Sequence, residues 1–343
     1  MVDERALILL QQDRPGSSMR RLSLALAAAL ILASFASSQS RAQSYPSKPV
    51  TLVVAFTPGG PSDVLSRILG RNMGDRLGKS FVIENRPGAG GNIAAELVSR
   101  AAPDGYTLLM GNNSILATNA ALYTSIKYDP IKDFQPISLV GSQANILIVN
   151  PKKMPVHSMA EFIELVKANP GKYTYASSGY GAGAHLAAEL FKTEAKVQIG
   201  HIPYKGAAPA LQDVIAGEVD LMFATAASVA EHIKAGLVRP LAVTTLKRTA
   251  AFPDIPTVDE LGIKGFDATT WHGLVAPTGM PPAIVDKLHD ALVAALKDDG
   301  VNRQLATLGV EIVGSTPNEF AEYIKMETPK WTEIVRASGA KVD

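Results

Sequence analysis

The sequence predicts an α/β protein built as two lobes, each a mixed sheet flanked by helices. Three observations predict it. From residue 45 onward, short apolar segments alternate with segments of helical spacing. Three glycine-rich stretches each stand where a strand ends and a helix begins. No internal repeat and no low-complexity linker interrupts the pattern. Alternating β and α over this length implies a parallel or mixed sheet covered on both faces.

The organising stretch is 57–63, Thr-Pro-Gly-Gly-Pro-Ser-Asp. Residues 50–56 before it are apolar and β-branched, as a buried strand requires. After it, Val64, Leu65, Ile68, Leu69, Met73 and Leu77 recur at helical spacing. Gly59 and Gly60 let the chain turn sharply and let a ligand approach. Pro61 suits a first turn, where its missing N–H costs nothing. Ser62 and Asp63 are N-cap types. The unpaired N–H groups of such a helix end form an anion site.

Further along, 80–84 reads as a strand. Residues 85–92 form a second glycine-rich turn opening a helix at 93–100. A strand covers 106–110, and 112–121 is a loop of polar and small residues with room for one helical turn. Strands at 136–140 and 146–149 flank 141–145. A helix at 158–168 begins with Ser158 and Glu161 in a capping-box spacing. A strand at 173–177 leads into 178–183, Ser-Gly-Tyr-Gly-Ala-Gly, the third glycine turn, and a helix at 185–194. Strands at 197–202, 219–223 and 240–244 alternate with helices at 207–216 and 229–235. The tail carries a strand at 270–277, helices at 281–297, 301–308 and 317–338, and a short strand at 310–313. Packing the tail back on the first lobe makes the lobes discontinuous: 43–143 plus 272–343, and 144–271. The crossings near 141–145 and 267–271 then form a hinge, and the cleft between the lobes is the ligand site.

The 343 residues carry net charge +1 and are 47% hydrophobic, which suits a soluble protein with two cores and no nucleic-acid surface. There are no cysteines, which excludes a disulfide framework, a thiolate nucleophile and a zinc–thiolate site. Met19, Arg20 and Arg21 begin a basic segment, 22–35 is apolar, and Ser40-Arg41-Ala42 places small residues around a cleavage point. Residues 1–42 therefore read as an over-long start followed by a secretory signal peptide beginning at Met19 and cut after Ala42. The apolar run falls short of the about 20 residues of a membrane span.

Motifs for other chemistries fail. Gly74 to Ser80 is one residue short of a P-loop and follows a helix rather than a strand. Gly179, Gly181 and Gly183 do not have dinucleotide spacing. There is no G-x-S-x-G elbow and no H-E-x-x-H pair, and the six histidines are scattered, so neither cofactor nor metal is expected. His185, in a first helical turn, is either a donor to a carboxylate or a structural histidine. Trp271 is either hinge packing or a lid. Asp63 and Asp220 are either ligand-amine partners or helix-end and strand-end groups.

Five motifs carry a resemblance: 56–63, 84–91, 175–179 continuing through His185-Leu186, 201–206 (His-Ile-Pro-Tyr-Lys-Gly) and 271–277. They resemble the Bug, or TctC-type, periplasmic binding proteins of tripartite tricarboxylate transporters. The resemblance implies a Venus-flytrap protein (type II) without catalytic activity that holds a small carboxylate mainly through backbone amides and waters. It points to Phe56, Gly59, Gly60, Pro61, Ser62 and Asp63 in one lobe, and to Ser178, Gly179, Gly181, Ala182, Gly183 and His185 in the other. Ser114 in the polar loop, Asn145 at the first crossing and Thr225 at a small-residue tip complete the expected ligand set. Pro61 departs from the small polar residue common in the family and supplies no N–H. Tyr180 offers a ring to an aromatic acid. A di- or tricarboxylate, an aromatic acid or an amino acid is the expected ligand, membrane transporter subunits the partners, the periplasm the compartment and a monomer the state. The alternative from the same cleft is a secreted, cofactor-free hydrolase or isomerase.

Overall fold

The computed structural model describes residues 45–342, and the body that begins at Pro46 forms one compact unit. The export signal expected within residues 1–42 lies outside the described residues. In chain order the elements are β1 (Val50–Val54), α1 (Pro61–Leu77), β2 (Phe81–Asn85), α2 (Asn92–Ser99), β3 (Thr107–Asn112), α3 (Asn119–Leu122), β4 (Phe134–Gln143) and β5 (Asn145–Val149). Then follow α4 (Met159–Ala168), β6 (Thr174–Ser177), α5 (Gly183–Ala195), β7 (Gly200–Pro203), α6 (Ala207–Ala216), β8 (Leu221–Thr225), α7 (Ala226–Lys234) and β9 (Arg239–Val243). The chain ends with β10 (Thr270–Pro277), α8 (Pro282–Leu296), α9 (Asp299–Thr307), β11 (Val310–Ile312) and α10 (Pro317–Ser338).

Two mixed sheets result. The first has the order β11-β4-β10-β3-β1-β2, and the second β7-β6-β8-β5-β9. In the first, β2, β1 and β3 run parallel, while β10 is antiparallel to both β3 and β4. In the second, β7, β6 and β8 run parallel and β5 is antiparallel to its neighbours. The parallel strands β1 and β3 sit inside the sheet, so their apolar runs are buried on both faces.

Only Ala144 separates β4 from β5, so the chain leaves the first sheet and enters the second almost without a loop. The expected break at 141–145 is instead strand up to Gln143. The return passage lies beside it. Thr244 Oγ1 accepts from Asn145 N at 3.0 Å and donates to the Ala268 carbonyl at 2.9 Å. Asn145 Nδ2 donates to the same carbonyl at 2.9 Å and to Thr270 Oγ1 at 3.2 Å. The two passages are thereby stitched together.

Two local expectations differ in their cause. The segment after β3 holds more helix than the single turn expected in its loop: 114–118 forms a π-helical turn continued by α3. Its Ile115, Leu116 and Ala117 are fully buried against a neighbouring helix, α10, and this packing overrides a polar, small-residue sequence. At α4, Ser158 Oγ accepts from Glu161 N at 3.2 Å, but Glu161 accepts from His157 N at 2.7 Å rather than from Ser158 N. The reciprocal capping box occurs at Thr316 and Glu319 instead, at the start of α10.

The helix α10 packs on β4 and the 114–122 segment, and also on α5, which flanks the second sheet. Its Glu327 accepts from both tryptophan indoles, Trp271 Nε1 at 2.9 Å and Trp331 Nε1 at 2.7 Å. Trp271 is fully buried, 5.4 Å from the Tyr323 ring and 5.9 Å from Phe320, so it is a packing residue and not a lid. Replacing the carboxylate by an amide exchanges two charge-assisted bonds for neutral ones of about half the strength. Glu327→Gln should therefore lower stability by about 1–2 kcal/mol, read from denaturant unfolding followed by tryptophan fluorescence.

Candidate functional site

Residues from both sheets enclose a cavity with about 580 Å³ of free space, part of it open to solvent. The loop after β1 supplies Phe56, Thr57, Gly60, Pro61 and Ser62. The segment from Ser178 to Ala184 supplies the facing wall, and Asn112, Asn145, Thr225, Thr270 and His272 close the floor and sides. Four helices begin at this wall: α1 at Gly60 to Ser62, α5 at Ala182 to Ala184, α6 at Gly206 and Ala207, and α7 just after Thr225. None of the four has a side-chain cap. Elsewhere Ser158, Asp298 and Thr316 cap α4, α9 and α10, while α2, α3 and α8 also lack a side-chain cap, so what sets the four apart is that their N-termini line one cavity. The backbone N–H groups of Ser62, Gly183, Ala184 and Ala207 have no bonding partner among the described residues. They line a space toward which four partial positive helix ends converge.

Among the described residues, no Lys, Arg, Asp or Glu lines the cavity. Among the described residues its one ionisable wall group is His272, which is fully buried and whose Nε2 lies 2.9 Å from Ser62 Oγ. Burial pulls that imidazole down to about 4, so it is neutral at pH 7. The positive potential is supplied by peptide dipoles and the polar contacts by amides and hydroxyls.

Of the residues expected from the sequence, the structure brings together Phe56, Gly60, Pro61, Ser62, Asn145, Ser178, Ala182, Gly183 and Thr225 at this cavity. Six others lie elsewhere, each for a physical reason. Asp63 is buried and spent on structure: its carboxylate accepts from Gly59 N at 2.9 Å, from Arg67 at 2.9 Å and from Asn85 Nδ2 at 3.0 Å. Burial alone would raise its pKa, but these bonds hold it below the usual aspartate range. Asp63 is therefore no partner for a ligand amine, and it occupies the Gly59 N–H that was expected to face an anion. Ser114 Oγ donates to the Gly181 carbonyl at 2.6 Å, which ties the two lobes together and removes the hydroxyl from the ligand set.

The N–H of Gly181 donates to His185 Nδ1 at 3.2 Å, and that of Gly179 to Ser177 Oγ at 3.1 Å. His185 is thus a structural histidine that accepts a backbone proton. Burial, helped by the charge of Lys192, lowers it to about 4. Its ring lies 4.4 Å from that of His201, which in turn stacks on Tyr175 and bonds Ser177 Oγ at 2.6 Å. Gly179 lines a neighbouring outer chamber rather than the cavity. Asp220 accepts from Thr174 N at 2.8 Å, a strand-end role.

The sequence reading missed Gly206 and Ala207, Thr270, His272 and Asn112. A signal existed for the first pair, because Tyr-Lys-Gly precedes a helix as the other glycine turns do. For Thr270 and His272 the alternation along β10 was legible, but which face met the cleft was not.

A two-lobed α/β body with an amide-lined cavity between its sheets defines the class of bilobal solute-binding proteins. The family model described as "Tripartite tricarboxylate transporter family receptor" matches residues 65–340. The chain belongs to this family, the TctC or Bug type. Among solved structures it is similar to R. palustris Rpa4515 with adipate, at 37% identity and TM-score 0.83 over 87% of this chain and 100% of that one. It is likewise similar to the periplasmic binding protein BugD, at 38% and 0.81 over 87% and 99%. MatC from Rhodopseudomonas palustris with bound malate matches at 33% and 0.80 over 85% and 100%.

Proposed function

We propose that this chain is a periplasmic receptor that captures a small carboxylate in the cavity and closes its two lobes on it. The closed form is then presented to the membrane subunits of a tripartite transporter. The observation that carries this reading is the convergence of four uncapped helix ends on a cavity that no Lys, Arg, Asp or Glu lines among the described residues. Each helix end stabilises a partly buried anion by up to about 2 kcal/mol. Each amide bond to a charged oxygen adds about 1.5–3 kcal/mol. A few of these suffice for the about 8 kcal/mol of a micromolar complex. The adipate and malate complexes of the two relatives agree with this ligand class. The lobes in this reading follow the two sheets, β1–β4 with β10 and all that follows it in one and β5–β9 with their helices in the other, so the boundary expected at 271/272 moves back to the start of β10; they swing at the stitched passages, and the receptor acts as a monomer.

One observation favours the enzymatic alternative: Ser62 Oγ and His272 Nε2 stand at nucleophile–base distance, 2.9 Å. Among the described residues no acidic side chain lines the cavity, and an imidazole lowered to about 4 is a weak base at neutral pH. The pair serves better as a hydroxyl held in place for a ligand oxygen.

Thermal unfolding with dicarboxylates, and with the corresponding diamides, tests the reading. Stabilisation by the acids alone, with the ligand recovered intact, is expected. No shift with any carboxylate, or consumption of one, overturns it. A second expectation concerns pH. With His272 and His185 both lowered to about 4, neither gains a proton between about pH 6 and 8. Affinity for a fully ionised carboxylate should therefore be flat across that window in calorimetric titrations. An imidazolium contact would instead tighten binding as the pH falls.

A further inference from the structure

An outer chamber adjoins the cavity. The two share Phe56, Thr57 and Ser178 in their walls, so they are adjoining spaces. Their walls differ in charge. Among the described residues the inner cavity has no cationic side chain, whereas Lys205 lines the outer chamber, exposed. Among the described residues its ammonium has neither an ion pair nor a hydrogen bond. No acidic side chain lines the outer chamber among the described residues.

Four aromatic rings, Phe56, Tyr123, Tyr180 and Tyr204, stand in that wall among small residues and prolines. Tyr180 is 38% exposed, and its ring is held edge-on by His201 at 5.0 Å and His185 at 5.6 Å, so it is placed before any ligand arrives. Tyr123 is its neighbour on the other lobe. A Cβ at Gly90 would lie 2.5 Å from the Tyr123 hydroxyl and 3.0 Å from the Tyr180 carbonyl, so the second glycine turn closes tightly behind both. Neither the Tyr123 nor the Tyr180 hydroxyl bonds another described residue.

We propose that the outer chamber is a second anion subsite, so that the cleft takes an elongated diacid. One carboxylate sits at the helix ends of the inner cavity. The hydrocarbon or aryl spacer passes Phe56 and Tyr180, and the far carboxylate meets Lys205. The proposal rests on the carboxylate reading and names the class of acid within it. Short acids fill the inner cavity alone and leave the Lys205 charge without a counterpart.

Calorimetric titration of the mature protein with straight-chain diacids from malonate to sebacate, each beside the monoacid of equal length, tests it. In the wild type the diacid-to-monoacid affinity ratio should rise with chain length to about tenfold, as an added charged hydrogen bond gives. Added salt should shrink that ratio, because the far contact lies near solvent. Lys205→Gln should return the ratio for long acids to about one. Lys79→Gln, a loss of charge outside both chambers, should leave it at the wild-type value. A ratio near one at every length in the wild type, or a ratio retained in Lys205→Gln, overturns the subsite while the inner site stands. Absence of binding by every acid overturns the carboxylate reading and the subsite with it.

Discussion

Gly183→Ala should weaken carboxylate binding by about ten- to a hundredfold while leaving a folded protein. A Cβ at residue 183 would lie 1.9 Å from Thr270 Oγ1 and 3.0 Å from Thr270 Cβ. Gly183 opens α5 beside the second sheet, and Thr270 opens β10 in the first, so the collision is between lobes. Thr270 is β-branched and nearly buried, and its hydroxyl receives the Asn145 amide, so it has little freedom to rotate away. The cheap relief is to part the lobes. Overpacking of this kind costs about 1–3 kcal/mol, which here falls on the closed state and so on ligand affinity. Calorimetry gives the dissociation constant, and circular dichroism checks the fold. Adding Thr270→Gly removes the colliding side chain and should restore part of the loss, which a simple defect in the amide wall would not allow. Wild-type affinity in Gly183→Ala would show that closure does not bring these residues together.

The same contact shows what a sequence can and cannot convey. That Gly183 ends a glycine turn and starts a helix is local information, and so is the apolar run that makes β10 a strand with the expected bounds, Thr270–Pro277. The helix α10 also keeps its expected bounds, because Thr316 with Glu319 marks its start and Gly339 its end. That Gly183 stands against Thr270 is not local. Nor is the fate of Asp63: its carboxylate is taken up by Asn85, which arrives on β2, as well as by its own helix through Arg67. His185 could be weighed as donor or structural group from its position, but its partner is a backbone N–H fixed by the turn of the third glycine loop. Amide-lined sites are especially hard to read this way. The groups that bind are present at every residue, and only tertiary structure decides which are left unpaired.

Gly273→Ala should cause a large loss of stability, about 3 kcal/mol, because it fails at the strand that serves the cavity and the core at once. Along β10 the side chains alternate. Thr270 and His272 line the cavity, while Trp271 and Gly273 meet Phe320 of α10. A Cβ at Gly273 would stand 2.1 Å from Phe320 Cζ, with two further ring atoms at 2.4 and 2.9 Å. Phe320 is fully buried and already abuts Trp271 at 5.9 Å, so the ring cannot retreat without displacing the indole held by Glu327. The cost lies at the upper end of the overpacking range for that reason. Phe320→Leu removes the colliding ring edge at the price of a cavity. In a double-mutant cycle it should be destabilising alone yet partly restorative beside Gly273→Ala, giving a coupling of about 1 kcal/mol or more. Additive effects would mean that the strand shifts as a body to make room. Such a shift would carry His272 away from Ser62, and binding would then fall together with stability. If the ring yields instead, the cavity face of β10 keeps its geometry and affinity survives at temperatures where the variant is folded.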